Sequence, residues 1–161
     1  MKFVRISKRN LKTAIKIAYE CFDKGYVKND VIKWYNKRLG SYYKQVNPVL
    51  EYFIVYEGNM PIGVTGFFNF LDDRKIFWLG YFGVVKKKRN KGVGSKMLRR
   101  SIIMSKKYGC KKFGAWTYSK RAIKFYKKNG FVKGSKKYVI IVYKKVIYRY
   151  PKGTVFLYKK S

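Results

Sequence analysis

Between positions 84 and 95 the chain reads Val84-Val85-Lys86-Lys87-Lys88-Arg89-Asn90-Lys91-Gly92-Val93-Gly94-Ser95. An apolar run ends, a basic loop follows, and glycines open a segment with helical spacing. Without a Cβ, Gly92 and Gly94 let the backbone approach a ligand closely. The first turn of a helix carries N–H groups with no intrahelical acceptor and the positive end of the dipole. Together these features make a cradle for a pyrophosphate. Two familiar phosphate loops do not fit. A P-loop requires Gly-Lys-Ser/Thr at its end. A dinucleotide turn requires an acidic residue about 20 positions further on, and no acidic residue follows Asp73.

Other chemistries are removed by what the chain lacks. It has no histidine, so Ser-His and Cys-His nucleophiles and histidine metal sites are excluded. Cys21 and Cys110 are far apart, cannot build a zinc site alone, and read as reduced structural thiols. No metal is expected.

The elements that position this segment follow from periodicity. Residues 2–6 alternate and read as a strand. Ser7 caps a helix with Leu11, Ile15, Ala18 and Phe22 on its apolar stripe, ending at Gly25. Asn29 or Asp30 caps a second helix through Trp34 and Tyr35 to about Leu39, and Gly40 stops it. Residues 51–56 and 62–70 form a hairpin around Glu57-Gly58-Asn59. Asp72-Asp73 turns the chain into 75–85, continuous enough to be a central strand. A helix spans 91 to about 108, with Val93, Met97, Leu98, Ile102, Met104 and Tyr108 on one arc and Gly109 as its cap. Residues 112–117 are a strand. Ser119 caps a short helix that ends at Asn129-Gly130. Phe131 begins a long strand reaching about Tyr148, kinked near Gly134, and 154–158 is the last strand. The order β-α-α-β-β-β-α-β-α-β-β implies an α/β class, with a mixed sheet and helices on both faces. The 161 residues, 47% of them apolar, suit one domain over 1–161. With no signal region at the N-terminus and no apolar run long enough to span a bilayer, the chain is expected to be intracellular, cytoplasmic and free of the membrane.

Two motifs carry a resemblance. Arg89-Asn90-Lys91-Gly92-Val93-Gly94 is similar to the Arg/Gln-x-x-Gly-x-Gly/Ala acetyl-CoA motif of the GCN5-related N-acetyltransferase (GNAT) superfamily. Ala122-Ile123-Lys124-Phe125-Tyr126-Lys127-Lys128-Asn129-Gly130-Phe131 resembles that family's Ala-x-x-Phe-Tyr-x-x-x-Gly-Phe helix. The order of elements fits over essentially the whole chain. The resemblance implies the GNAT acyl-CoA N-acyltransferase fold, with acetyl-CoA as acyl donor and no metal. It implies that the backbone of Phe82, Gly83 and Val84 pairs with the pantetheine arm like an added strand. It implies that N–H groups of Arg89, Asn90, Lys91, Gly92, Val93, Gly94 and Ser95 hold the pyrophosphate. The Arg89 side chain is a further phosphate contact, and Lys86, Lys87 and Lys88 attract the 3′-phosphate. Tyr126 stands where the family's tyrosine protonates the departing thiolate, and clustered lysines are expected to lower its pKa. Ser119 stands where many relatives carry an Asn that contacts CoA. Some relatives place a glutamate base on the preceding strand; the matching position is Gly114.

The missing glutamate constrains the acceptor. A base must come from residues 1–73 or from water. Glu20, Asp23, Glu51 and Asp72 are the candidates, each more ordinary as a surface charge. Without a strong base, an α-amine with a pKa near 7.7–8.0 is a better nucleophile at neutral pH than a lysine near 10.4.

Charge points to the partner. Forty Lys+Arg against seven Asp+Glu give a net charge of +33. All seven acids lie in residues 1–73, and residues 74–161 carry 28 Lys/Arg with none. An AT-rich genome would raise lysine but would not delete the acids. Such a field attracts polyanions and repels polyamines. The leading reading is acetylation of an amine carried on or beside a nucleic acid, RNA or DNA, as in aminoacyl-tRNA or a modified base. The second is N-terminal or lysine acetylation of a nucleic-acid-associated protein. The third is a non-enzymatic nucleic-acid-binding module on the same scaffold, in which Trp34, Tyr35, Tyr42 and Tyr43 stack on bases.

Overall fold

Strand β1 (Lys2–Arg5) runs antiparallel to β2 (Leu50–Glu57), and the helices between them form one layer over the sheet. The computed structural model describes residues 1–39, 47–71, 73–134, 140–142, 145–148 and 153–160. Helix α1 (Leu11–Cys21) is entered through a 3-10 turn, Lys8–Asn10, in which Asn10 Oδ1 accepts the Ser7 N–H at 2.8 Å. The stripe buried by α1 is Ala14, Ile17 and Ala18, whereas Leu11, Ile15 and Phe22 lie half-buried at its flanks. The expected stripe is therefore rotated, because the two alanines let the helix axis lie close to the sheet.

The second helix also differs from expectation. Asp23 accepts the N–H of Gly25 at 2.9 Å and of Tyr26 at 3.2 Å, capping the one-turn α2 (Lys24–Tyr26). A π-helical turn, Val27–Val31, then leads into α3 (Ile32–Leu39). Val27, Val31 and Tyr35, spaced four apart, all bury on one face. Asp30 thus lies inside the turn and caps nothing.

Strands β2 and β3 (Met60–Phe70) form the expected hairpin, with Glu57 opposite Met60. Strand β4 (Asp73–Val84) returns antiparallel to β3. Helix α4 (Val93–Lys106) crosses to β5 (Lys112–Thr117), which lies parallel to β4. Helix α5 (Lys120–Lys128) follows. The sheet order, including the short β6 (Val132–Lys133) and the last strand β9 (Val155–Lys160), is β1-β2-β3-β4-β5-β9-β6.

The single long strand expected from Phe131 is corrected. Strand β9 inserts beside β5, so β6 pairs with it only at Val132 and Lys133. Gly134 passes over Tyr158 so closely that a Cβ there would lie 2.2 Å from the ring. Strands β7 (Ile140–Val142) and β8 (Lys145–Tyr148) pair antiparallel with each other in a separate two-stranded sheet.

The sheet divides the core. Ala14, Ala18, Val31, Tyr35, Tyr52 and Trp78 pack on the α1–α3 face. Phe67, Phe77, Leu98, Phe113, Tyr126 and Leu157 pack on the α4–α5 face. Tyr35 is fully buried and so is not a base-stacking platform, and Trp34 is half-buried with its ring 5.5 Å from that of Phe68. Tyr42 and Tyr43 lie outside the described residues. No helix among the described residues is long and apolar enough to cross a membrane.

Candidate active site

The site begins where two parallel strands part. Strands β4 and β5 pair only through Ile76, Phe77 and Trp78 with Lys112, Phe113 and Gly114. Beyond Trp78 no described strand pairs with that edge of β4, although its other edge stays paired with β3 to Val84. The backbone groups that Phe82 and Gly83 turn toward that edge are therefore available to an extended amide-bearing ligand, whereas Val84 C=O accepts the Arg89 Nε–H. Helix α5 stands over the opening, with Phe125 stacked on Phe82 at 5.8 Å and an interplanar angle of 26°.

A bulge re-aims this strand. Val64 and Gly66 of β3 oppose Gly83 and Gly80 of β4, so β4 carries one extra residue between them. Tyr81 takes φ +39°, a conformation that side chains other than glycine seldom adopt. A Cβ at Gly80 would meet Tyr52, and Tyr81 packs on the same Tyr52. Consecutive residues thus face the α1–α3 layer, and Phe82 is turned toward α5. Periodicity offered no sign of this, because a bulge changes which face a residue takes without changing its type.

At the end of β4 the basic loop turns through a 3-10 turn, Lys86–Lys88. Asn90 at φ +61° and Gly92 at φ +73° bring the chain to α4. The first backbone bond at this end is Lys96 N–H to Gly92 C=O at 3.1 Å, so the N–H groups of Val93, Gly94 and Ser95 have no helical acceptor. A Cβ at Gly92 would meet nothing within 4 Å, so the space in front of it is open. Gly94 is different: its Cβ would touch the Phe125 ring at 3.3 Å and Val84 at 3.8 Å. Gly92 lies on the open side of the cradle, whereas Gly94 permits α4 and α5 to pack.

The Arg89 side chain is already engaged. Its Nε donates to Val84 C=O at 2.8 Å and its Nη2 to Cys21 C=O at 3.0 Å. It clamps the end of β4 to the end of α1 with two of its five N–H donors. Lys88 pairs with Glu57, which holds that carboxyl below its ordinary range. Ser119 Oγ accepts the Ala122 N–H at 3.3 Å, the cap expected for α5.

Tyr126 sits in the core of the α4–α5 face, 5.5 Å from Phe131 and 5.3 Å from Phe125. Burial pushes its phenol pKa up, opposite to the lowering expected from neighbouring lysines. The lysines of α5 are exposed and point to water, so desolvation decides the direction. A phenol so placed keeps its proton through the neutral range. At Gly114, a Cβ would lie 2.6 Å from the Trp78 ring. Trp78 occupies the space a glutamate would need there.

The acids divide by partner. Asp23 caps α2. Glu51 is nearly buried and pairs with Arg5 at 2.9 Å. Asp73 accepts the N–H of Lys75 and of Ile76, each at 3.2 Å. Glu20 lies on the exposed side of α1 beside Lys16. Asp72 lies outside the described residues. Asp30, not among the expected candidates, lies half-buried within the π-helical turn. No group of acids, cysteines or histidines suited to a metal occurs among the described residues.

Comparison with known proteins agrees with this geometry. Residues 48–133 match the family described as Acetyltransferase (GNAT) domain. A GNAT-family protein from Desulfovibrio desulfuricans superposes with a TM-score of 0.76 at 13% identity, covering 99% of this chain and 98% of that one. The PaiA N-acetyltransferase from Thermoplasma acidophilum, solved with coenzyme A, gives 0.68 at 14% identity, covering 99% and 98%. An Elizabethkingia anophelis GNAT acetyltransferase with acetyl-CoA bound gives 0.54 at 21% identity, covering 74% and 80%. A search of curated proteins gives no match. The parted strands, the glycine-opened helix and the matched segment lead to one conclusion: the chain belongs to the GNAT acetyltransferase family.

Proposed function

We propose that this protein transfers the acetyl group of acetyl-CoA to an amine carried on, or held beside, a nucleic acid, such as aminoacyl-tRNA or a modified base. The observation that carries the donor half is the β4 edge left unpaired beyond Trp78 together with the N–H groups of Val93, Gly94 and Ser95 that have no helical acceptor. An extended amide-bearing arm followed by a pyrophosphate suits these two features. Relatives of this fold solved with CoA or acetyl-CoA support the same reading.

The chain's own residues have distinct tasks in this mechanism. Phe82, Gly83 and Val84 orient the arm with main-chain hydrogen bonds. Asn90, Lys91, Gly92, Val93, Gly94 and Ser95 surround the pyrophosphate with N–H groups, Gly92 leaving the approach open, whereas the Arg89 N–H donates to Lys86 C=O at 3.2 Å. Arg89 braces this loop against α1. Ser119 sets the start of α5, which carries Tyr126. When bound, acetyl-CoA supplies an acyl carbon activated as a thioester. The Tyr126 phenol, protonated at neutral pH, supplies a proton to the sulfur that leaves. General acids of this kind contribute about 10²–10⁴-fold.

The acceptor half rests on charge. Beside the site, a groove of about 520 Å³ between α4 and α5 is lined by Arg99, Lys106, Lys128, Lys159 and Lys160. Residues 74–161 hold no acid to offset these cations. A phosphate backbone would be drawn to this basic groove.

The test is radiolabelled acetyl-CoA offered with separate pools of aminoacyl-tRNA, DNA, protein and polyamine. Label in the nucleic-acid-linked pools is expected. Label confined to protein would replace this acceptor with a protein amine. Label in no pool would defeat the reading.

A further inference from the structure

We propose that Arg89 is a positioning residue for the acyl donor: it joins the strand edge that seats the arm to the loop that seats the pyrophosphate, by its planar fork rather than by its charge. This rests on the acetyl-transfer reading above. The fork holds two carbonyls from separate elements, Val84 at the end of β4 and Cys21 at the end of α1, at 2.8 and 3.0 Å.

The Val84 carbonyl faces the arm's side of the strand. Val85 N–H donates to Ile62 C=O at 3.0 Å, and Val84 stands opposite Gly63. Antiparallel partners alternate between pairs that exchange hydrogen bonds and pairs that do not. Val84 is therefore of the second kind, with its C=O turned away from β3 to the edge left unpaired beyond Trp78. Arg89 Nε–H occupies that acceptor. An arm pairing along the edge from Phe82 meets a carbonyl already engaged at Val84. It leaves the strand there, where the chain turns toward α4.

The second carbonyl belongs to a corner held by packing. The last carbonyls of a helix have no intrahelical donor, and a cation there also meets the negative end of the dipole. A Cβ on Gly83 would lie 2.6 Å from Cys21 Cβ and 2.8 Å from the Phe22 ring, so α1 ends directly on β4. Ile17, Val64 and Val85 bury together at this corner, with Cys21 and Phe22 against them. Burial pushes the Cys21 thiol up to about 12, so it stays protonated beside the donor strand and is no acyl acceptor. Arg89 itself closes the 3-10 turn, its N–H on Lys86 C=O at 3.2 Å, and Asn90 at φ +61° follows. The loop's course toward the N–H groups of Val93, Gly94 and Ser95 thus starts from a residue pinned to both β4 and α1.

Charge alone does not single out this residue. Lys86, Lys87, Lys88 and Lys91 flank it, and the chain carries 40 Lys+Arg. A lysine is a single point of charge, whereas the guanidinium presents five donors in one plane and serves two carbonyls at once. What arginine adds here is a fixed spacing between two seats. A ligand that fills both gains affinity from that spacing, because its second half binds as if at high local concentration. A ligand that fills one seat gains nothing from it.

The test compares two ligands by calorimetry. Acetyl-CoA fills both seats, and adenosine 3′-phosphate 5′-diphosphate, its half without the arm, fills only the phosphate loop. Each is titrated into wild type, into Arg89→Lys, which keeps the charge, and into Arg89→Gln, which keeps a planar N–H donor but neither the charge nor the reach. Both variants are expected to lose about tenfold or more in acetyl-CoA affinity, with the nucleotide bound within about twofold of wild type. Loss of both ligands in Arg89→Gln, with Arg89→Lys like wild type, would overturn the inference and make Arg89 a phosphate contact. Equal loss of both ligands in both variants, with a lower Tm, would overturn it as well and leave Arg89 a structural support of the loop. Should one variant fail to fold, the other carries the comparison, since the clamp alone predicts that the two ligands part. A wild type that binds both ligands equally overturns the joined seats and leaves the pyrophosphate cradle standing. A wild type that binds neither overturns the acetyl-transfer reading and this inference with it.

Discussion

The two faces of β4 differ in nearly every physical respect. Toward α4 and α5, Phe82 stacks on Phe125, glycines open the phosphate loop, and the surface is basic. Toward α1, α2 and α3, four tyrosines, Tyr26, Tyr35, Tyr52 and Tyr81, pack ring against ring. One residue separates these environments, since the bulge turns Tyr81 to one face and leaves Phe82 on the other. The difference shows how one extra residue in a strand gives its two faces a different chemical character.

The comparison breaks first if the basic face is not electrostatic in function. Contact with 6–10 phosphates should cost about 10³–10⁵ in affinity between 50 and 200 mM salt. RNA and DNA binding titrated across that range should give a steep log–log line. A flat line would reduce the charge to a matter of composition. Next in size is Tyr126→Phe. The ring and its packing survive, so acetyl-CoA affinity should hold while kcat falls by roughly 10²–10⁴-fold. Because burial raises the phenol pKa, no loss from ionisation of Tyr126 is expected as pH rises through neutrality. Near-normal turnover in this variant would remove the acid assignment.

The two glycines sharpen the same face. Gly94→Val should cost about 1–3 kcal/mol of stability, read as a lower Tm, since Phe125 must yield to the new side chain. Gly92→Val meets no neighbour, so its stability loss comes only from the positive φ, about 1–2 kcal/mol. Its larger effect should be on acetyl-CoA affinity by calorimetry. Equal affinity in Gly92→Val and wild type would mean that no ligand approaches there. Smallest of all are the remaining acids. Glu20→Gln and Glu51→Gln should each keep activity within about threefold in the labelled acetyl-transfer assay. A dead but folded Glu51→Gln would move the base to Glu51 and make side-chain lysines better acceptors.

What could be read along the chain was local. The phosphate loop, the cap at Ser119, the hairpin around Gly58 and the strands at 112–117 and 154–158 all follow from residue type and spacing over a few positions. The family motifs add order to these pieces. Three features escaped, each for a physical reason. The stripe of α1 rotated because Ala14 and Ala18 pack closer than their hydropathy suggests. The strand after Phe131 broke because β9, which comes later in the chain, takes the place beside β5. Gly94 proved to serve helix packing, which depends on Phe125, thirty-one positions away.

The amino-acid sequence by itself determined that a basic loop and glycine-opened helix follow a central strand, that histidine chemistry is absent, and that no acid follows Asp73. Tertiary structure alone decided which groups meet at that strand. The β4–β5 parting depends on pairing between segments more than thirty residues apart. Tyr126 became a buried, firmly protonated phenol because the core closed over it. Tyr81 came to pack on Tyr52 and Tyr35 through a bulge in β4. A bulge shifts a side chain to a new face without altering local residue type, so this contact is set by packing rather than by pattern.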